Sequence, residues 1–470
     1  MKFSKVLLFV LAAVLCFSLV ACNTTPVETN YAEANTEYVI GLSGPLTGGA
    51  AMYGIAVANA AQIAVDEINA AGGLNGVMFK LVTTDDMHDA TKVSTNYYSL
   101  LEGGMQVSLG TVTTAPGLEF KNLSAEDNVF FLTPSASGDD IPTNPNGYQM
   151  CFADGNQGKV AAEYVNANFA GQTIGVLYKA DEAYSKGIYD QFKANLDETV
   201  TVVETTFTDA NATDFNTQID TLKSCNFIFL PIYYTPASIF MSQAKDIIAP
   251  DAVYYGCDGL DGIDNIEGFD INTIPQEVSM LSHFNSKATE GMAKEFIDKY
   301  VARFGSETLN QFGASAYDCV YAIYGAMKNA YEADNASIYV TMSASELCEI
   351  LKAQFNAGYT LEEAVTGSNI TWENTGYVNK GAIKYIIKAA GTAAEAPAEG
   401  EEAPAEEATE EAAPAEETEA PAEEAAPAEE AAPAEETEAP AEGEEAPAEE
   451  AAPAEETEAP AEPELVVDEK

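Results

Sequence analysis

The chain predicts an α/β protein of two domains built on parallel sheets, followed by a separate disordered acidic tail. Three observations carry this. From residue 38 to about 391, short apolar runs ending in glycine, hydroxyl residues or carboxylates alternate with stretches of helical spacing, the pattern of β-α-β units. That stretch is too long for one hydrophobic core and suits two. From residue 393 to 470 the composition changes: 30 acids stand against one base, with 11 of the chain's 21 prolines.

Taken in order, Lys2 and Lys5 precede an apolar run, Val6 to Val20, that ends in Leu19-Val20-Ala21-Cys22. The run has the length of a signal-peptide core and is short for a membrane span. No later run reaches about 18 apolar residues, which excludes a channel or permease. Residues 22–37 are polar and read as a tether. YVIGLSG is the first strand. Helical spacing over 53–71 closes on Gly72-Gly73, a natural C-cap. FKLVTTDD is a strand ending on carboxylates, and a helix over 91–101 stops at Gly103-Gly104. QVSLGTVTT, VFFLTPSAS, TIGVLYK, VTVVETTF, CNFIFLPIYY and AVYYGCDG continue the strand series, with helices over 158–169, 185–196 and 236–248. Ligands of such sheets sit at the carboxyl ends of strands, near helix N-termini. The candidate positions are therefore Thr113 and Thr114, Ser135 to Ser137, Tyr233 and Tyr234, and Asp258. Taken singly, each threonine or serine fits a helix cap equally well, and Asp258 fits a turn.

The tail repeats EAAPAEETEAPAE at Glu411, Glu430 and Glu450. Proline every six or seven residues breaks the helix that Ala and Glu favour, and like charges repel. Residues 392–470 are expected to be disordered. The whole chain carries a formal charge of -54. This excludes nucleic acid as a partner, because no basic stripe exists to neutralise phosphates, and it disfavours direct contact with an anionic membrane. Beyond Cys16 and Cys22, five cysteines remain: Cys151, Cys225, Cys257, Cys319 and Cys348. They form no CxxC, and neither His88 nor His283 lies near one in sequence, so no metal is expected. Buried free thiols are the expectation, and both histidines are expected at the surface. GLSGPLTGG lacks the Lys-Ser/Thr of a P-loop and misses GxGxxG; no GxSxG exists either. No cofactor and no enzymatic activity are expected.

The ordered set IGLSGPLTG, AVDEINAAGGLNG, DD, LGTVTT, FFLTPSAS, VLYKADEAYSKG, YYGCDG, ASAYDCVYA and ITWENTGYVNKG resembles the type I extracellular solute-binding proteins of ABC importers. The similarity is strongest to the leucine/isoleucine/valine-binding branch. It implies a periplasmic-binding-protein type I fold, with two Rossmann-like lobes joined by a three-stranded hinge. Lobe I would be 38–152 with 282–364, and lobe II 153–281 with 365–391. The segment before Cys22 resembles a lipobox, which implies a signal peptide over 1–21, lipidation of Cys22 and anchoring outside the cytoplasmic membrane. The disulfide that some members carry near the DD segment is absent here, and His88 occupies its neighbourhood.

A free amino acid presents one carboxylate and one ammonium, and a dry cleft must hydrogen-bond both. By the resemblance, the hydroxyls of Thr114 and Ser137 hold the carboxylate, with Thr113 beside them. The carbonyl of Ser135 and the carboxylate of Asp258 take the ammonium. Leucine-type members place Glu where Asp258 stands, so its reach is one methylene shorter. Tyr53, Tyr184, Tyr233 and Phe312 line the cleft, with the Tyr233–Tyr234 register open by one. Tyr317-Asp318 fits a packing motif. The implied function is a lipoprotein that captures an amino acid, branched-chain by family default, and delivers it to an ABC permease. A ligand-sensing role, or an amide or urea-like solute, is the alternative.

Overall fold

A computed structural model describes residues 29–143, 145–333 and 338–390. The expected leader, the tether up to residue 28 with Cys22, Gly391 and the acidic tail lie outside the described residues.

The first five strands are β1 (Tyr38–Gly44), β2 (Phe79–Asp85), β3 (Val107–Ser108), β4 (Phe131–Thr133) and β5 (Gly147–Gln149). They pair in parallel in the order β2-β1-β3-β4-β5. All seven residues of β1 are buried, as a central strand covered on both faces requires. Between the strands run α1 (Ala51–Ala70), α2 (Ala90–Glu102) and α3 (Thr114–Glu126). The Gly72-Gly73 stop acts as its sequence implies. Both glycines have positive φ, 103° and 65°, and the Gly73 N–H donates back to the Ile68 carbonyl at 2.9 Å. Asp89 caps α2 by accepting from the Thr91 N–H.

The second sheet starts with β6 (Thr173–Lys179), β7 (Thr201–Phe207), β8 (Phe227–Leu230), β9 (Val253–Gly256) and β10 (Glu277–Ser282). Its order is β7-β6-β8-β9-β10, again all parallel. Helices α4 (Asp154–Asn168), α5 (Ala183–Asn195), α6 (Asn216–Leu222) and α7 (Tyr234–Ala244) connect it. Counted from its own first strand, each sheet has the same 2-1-3-4-5 order. Each therefore has a topological switch point, between β1 and β3 in one and between β6 and β8 in the other.

After β10 the chain returns to the first half and builds α8 (Gly291–Phe304), α9 (Gln311–Ala333) and α10 (Ala344–Asn356). Helix α9 packs along α1. The hairpin β11 (Thr360–Ala364) and β12 (Gly367–Thr371) follows, and β13 (Ile383–Lys388) then pairs antiparallel with β10 at the edge of the second sheet. Three segments thus pass between the halves, and they are tied together. The Trp372 indole donates to the Gln149 carbonyl at 2.7 Å. The Lys380 ammonium donates to the Thr366 hydroxyl, which donates in turn to Asp318, both at 2.6 Å. Asp318 also accepts from the Val365 and Thr366 N–H groups, a packing role that matches its motif.

The structure departs from expectation in three places. The predicted strands around residues 107–114 and 130–137 pair only over Val107–Ser108 and Phe131–Thr133. Their β-branched residues reflect burial rather than pairing; past Gly110, at φ 65°, the backbone leaves the ladder to start α3. The histidines are not surface residues. His283 is 8 % exposed, donates or accepts with the Ser315 hydroxyl at 2.6 Å, and meets the Phe152 ring edge-on. Burial, then the nearby Lys380 charge, holds it well below its ordinary pKa. His88 is half-buried at the end of β2. All five cysteines after Cys22 are buried and free. Among the described residues no helix is long and apolar enough to cross a membrane.

Candidate ligand-binding site

The carboxyl ends of both sheets face one narrow cavity of about 10 Å³. Its lining holds all nine residues singled out in the sequence: Tyr53, Thr113, Thr114, Ser135, Ser137, Tyr184, Tyr233, Asp258 and Phe312, together with Val112.

On the side of the first sheet, Thr113 stands at the N-cap of α3 without capping it by its side chain. Its hydroxyl instead pairs with His88 Nδ1 at 2.8 Å. Thr114, the first residue of α3, is 3 % exposed, and its hydroxyl has no partner among the described residues. The start of α3 adds free N–H groups and the positive end of its dipole. A Cβ on Gly138 would lie 2.7 Å from Thr114 Cγ2, so glycine is what lets the Ser135–Ser137 loop approach. The Ser137 carbonyl accepts from the Asp154 N–H at 2.8 Å.

On the side of the second sheet, Asp258 follows β9 and is 1 % exposed. One carboxylate oxygen accepts from the Tyr184 hydroxyl at 2.7 Å; the other has no partner among the described residues. The Asp258 N–H donates to the Gln157 side-chain oxygen at 2.9 Å. The Tyr184 hydroxyl also accepts from the Gly259 N–H at 2.8 Å, and a Cβ on Gly259 would meet that hydroxyl at 2.6 Å. Burial raises the Asp258 pKa from 3.8 to about 6, against hydrogen bonds that lower it. Asp154 is pushed well up by burial and by the Asp258 charge. No lysine or arginine lines the cavity. Asp258 is the one carboxylate in the lining described.

Aromatic rings close the remaining walls. Tyr184 and Tyr233 stack at 4.5 Å. Tyr53 meets Phe312 edge-on at 4.9 Å and Tyr234 at 4.8 Å. The register left open resolves plainly: Tyr233 lines the cavity, while Tyr234 turns to accept the Met52 N–H at 3.3 Å. Further bonds cross the cleft, from the Tyr53 hydroxyl to the Gly259 carbonyl at 2.5 Å and from the Thr235 hydroxyl to the Gly49 carbonyl at 2.9 Å. Sequence reasoning missed Val112, Gln157, Asp154 and the support His88 gives Thr113. His88 was open to detection, because it follows a strand ending on carboxylates, the rule that selected Thr113.

A family model described as periplasmic binding protein matches residues 37–360. The Leu/Ile/Val-binding protein BraC3 of Rhizobium johnstonii is 28 % identical over 314 residues, covering 66 % of this chain and 83 % of that protein. Among solved structures, the branched-chain amino acid transporter substrate-binding protein LivJ of Streptococcus pneumoniae, in complex with isoleucine, is similar with a TM-score of 0.64. Its identity is 24 %, and the match covers 76 % of this chain and 97 % of that one. A solute-binding protein of an ABC transporter from Rhodopseudomonas palustris BisB5, in complex with 3,4-dihydroxybenzoic acid, also gives 0.64. There the identity is 17 %, with 75 % and 93 % covered. These relatives are binding proteins rather than enzymes. With the fold, the paired switch points and the family match in agreement, the chain belongs to the periplasmic binding protein family, in the type I architecture of its Leu/Ile/Val-binding relatives.

Proposed function

We propose that this protein is the extracytoplasmic substrate-binding component of an ABC importer, which captures a free α-amino acid of branched-chain type and delivers it to the permease. The carrying observation is a pair of unsatisfied groups in one small cavity: the free carboxylate oxygen of Asp258 and the free hydroxyl of Thr114. An ammonium suits the first, and a carboxylate at the start of α3 suits the second. Benzoate-type ligands, as held by the Rhodopseudomonas neighbour, carry an anion and, in the dihydroxy compound, phenol donors, but no cation. They would leave Asp258 buried without a cation, which is costly.

In this reading the ligand first meets Thr114, Ser135 and Ser137, with Thr113 beside them, and closure brings Tyr184, Tyr233 and Asp258 from the other half. Lobe I comprises 38–152 with 282–364, and lobe II 153–281 with 365–391. Tighter binding to the closed form drives closure, and the permease recognises that form. Lipidation at Cys22 holds the protein at the membrane and raises its local concentration near the transporter. The test is a thermal-shift screen of the purified chain, unfolded and refolded to strip bound solute. All twenty amino acids, γ-aminobutyrate, urea, short amides, benzoate and simple sugars are tested. Ligand at about 100 times its Kd adds about 2.7 kcal/mol, a shift of several degrees. A response confined to amides, sugars or benzoate overturns the amino-acid reading.

A further inference from the structure

The turn after β2 is strained, and it aims a histidine. Met87 and His88 stand side by side at φ 56° and 63°. That conformation is uncommon outside glycine and persists only where the surroundings enforce it. Here side chains do so. The Met87 N–H donates to Asp85 Oδ1 and the His88 N–H to Asp86 Oδ1, both at 2.9 Å. Asp86 is buried and accepts from the Ser43 hydroxyl at 3.0 Å, while the Asn96 amide donates to Ser43 at 3.2 Å. The braced turn sets one ring position. His88 Nδ1 lies 2.8 Å from the Thr113 hydroxyl, and Tyr233 of the second half meets the ring edge-on at 5.4 Å. Thr113 is 3 % exposed and lines the cavity beside Thr114. Its side chain caps no helix N–H, so the hydroxyl is left to His88 and to the cavity.

We propose that His88 is a positioning residue of the ligand site: its Nδ1–H donates to the Thr113 hydroxyl and thereby turns the Thr113 proton toward the carboxylate of the bound amino acid. The inference rests on the amino-acid reading above, and it adds to that reading a residue outside the cavity lining. A threonine hydroxyl has one proton to donate and two lone pairs that accept, whereas an ionised carboxylate only accepts. If Nδ1 were the acceptor, Thr113 would give its proton to His88 and present lone pairs to the ligand's negative charge. With Nδ1 as donor, the threonine proton is free for the carboxylate at the start of α3. Burial, then the Lys179 charge, holds the ring below its ordinary pKa, against Asp209 and Asp89. At neutral pH the ring is therefore uncharged, only one of its nitrogens carries a proton, and the bond to Thr113 selects which.

Two experiments on the whole chain, stripped of bound solute, test this. The first is calorimetric titration with leucine of the wild type, His88→Phe, His88→Asn, Thr113→Val and the double variant of His88→Phe with Thr113→Val. Phenylalanine keeps a ring against Tyr233 but has no donor. Asparagine keeps a donor near the Nδ1 position and tolerates the left-handed backbone. His88→Phe should weaken leucine binding about tenfold, and His88→Asn should recover it to within about threefold of wild type. Once Thr113 is valine, His88→Phe should cost less than about twofold more. Undiminished binding by His88→Phe overturns the proposal. So does the same loss in both backgrounds, because the ring then acts through the turn and not through Thr113. The second experiment is nitrogen NMR of the histidine-labelled wild type with leucine bound, which depends on no variant. The His88 proton should reside on Nδ1, and a proton on Nε2 alone overturns the proposal. Silence of the wild type toward every amino acid overturns the function proposed above and this inference with it, whereas wild-type binding that His88→Phe leaves intact sinks the inference alone.

Discussion

Asp258→Asn separates the roles of this carboxylate in the free and the loaded protein. Burial raises its pKa from 3.8 to about 6, about 2 units, and each unit is worth 1.36 kcal/mol, so the ionised form is penalised by about 3 kcal/mol. The sign follows. Below 3.8 the carboxyl is protonated in folded and unfolded chains alike and makes no difference. Between 3.8 and about 6 the folded chain keeps a proton that the unfolded chain has lost, so stability falls as pH rises, and above that the full penalty applies. Asparagine keeps an acceptor for the Tyr184 hydroxyl but carries no charge. At pH 7.5 the free variant should therefore melt a few degrees above the wild type, with about 3 kcal/mol as the upper bound. The same variant should lose leucine binding, because the ammonium then has no counter-charge. In the wild type the ligand must expel the proton below pH 6. Affinity at pH 5 should then be about tenfold weaker than at pH 7.5, one unit of pH per decade. Glu182 and Asp261, raised by burial to about 7 each, titrate nearby, and the asparagine variant isolates the part due to Asp258. The assay is calorimetry at both pH values with thermal melts alongside. Leucine affinity unchanged in Asp258→Asn, or a wild-type affinity indifferent to pH between 5 and 7.5, would refute the reasoning.

Thr114→Val removes an unpartnered buried hydroxyl. The free protein should be unchanged or up to about 1 kcal/mol more stable by denaturant midpoint, while calorimetry shows about ten- to hundredfold weaker amino-acid binding from one lost charge-assisted bond. Gly259→Ala drives a methyl to 2.6 Å from the Tyr184 hydroxyl and 3.1 Å from the Ile232 carbonyl. It should cost roughly 1–3 kcal/mol in urea unfolding and abolish binding. Tyr234→Phe deletes the bond to the Met52 N–H without touching the cavity wall. Affinity should fall about two- to tenfold, with the free protein more open by small-angle scattering. The five buried cysteines should resist a thiol reagent in the folded protein and react only after unfolding.

The alternation of strands and helices was legible because it is local. Burial of YVIGLSG and the double-glycine stop after α1 are written in adjacent residues. The cavity was legible only through the ordered motifs, since Thr114 and Asp258 are 144 positions apart and no local pattern joins them. Where each motif stops acting as a strand was not legible. Val107 to Thr114 has one character in sequence, yet only two of its residues pair, because the rest must break away to present hydroxyls to the cleft. His88 was misjudged for a related reason. A histidine after two aspartates reads as solvated, whereas here Thr113 and the second half's Tyr233 leave it half-buried. The helices that return to the first half lay behind family motifs rather than behind spacing, and their partner, α1, is more than 200 residues upstream.

The last strand of the described body has a consequence for how the molecule comes into being. Strand β13 completes the second sheet against β10, roughly a hundred residues earlier, and α9 completes the packing of α1 over a still longer span. Neither half is whole until nearly all of the body has emerged from the ribosome. No fragment cut between the halves contains a finished sheet and its covering helices. Such long-range closure predicts slow folding with a populated, incompletely packed intermediate.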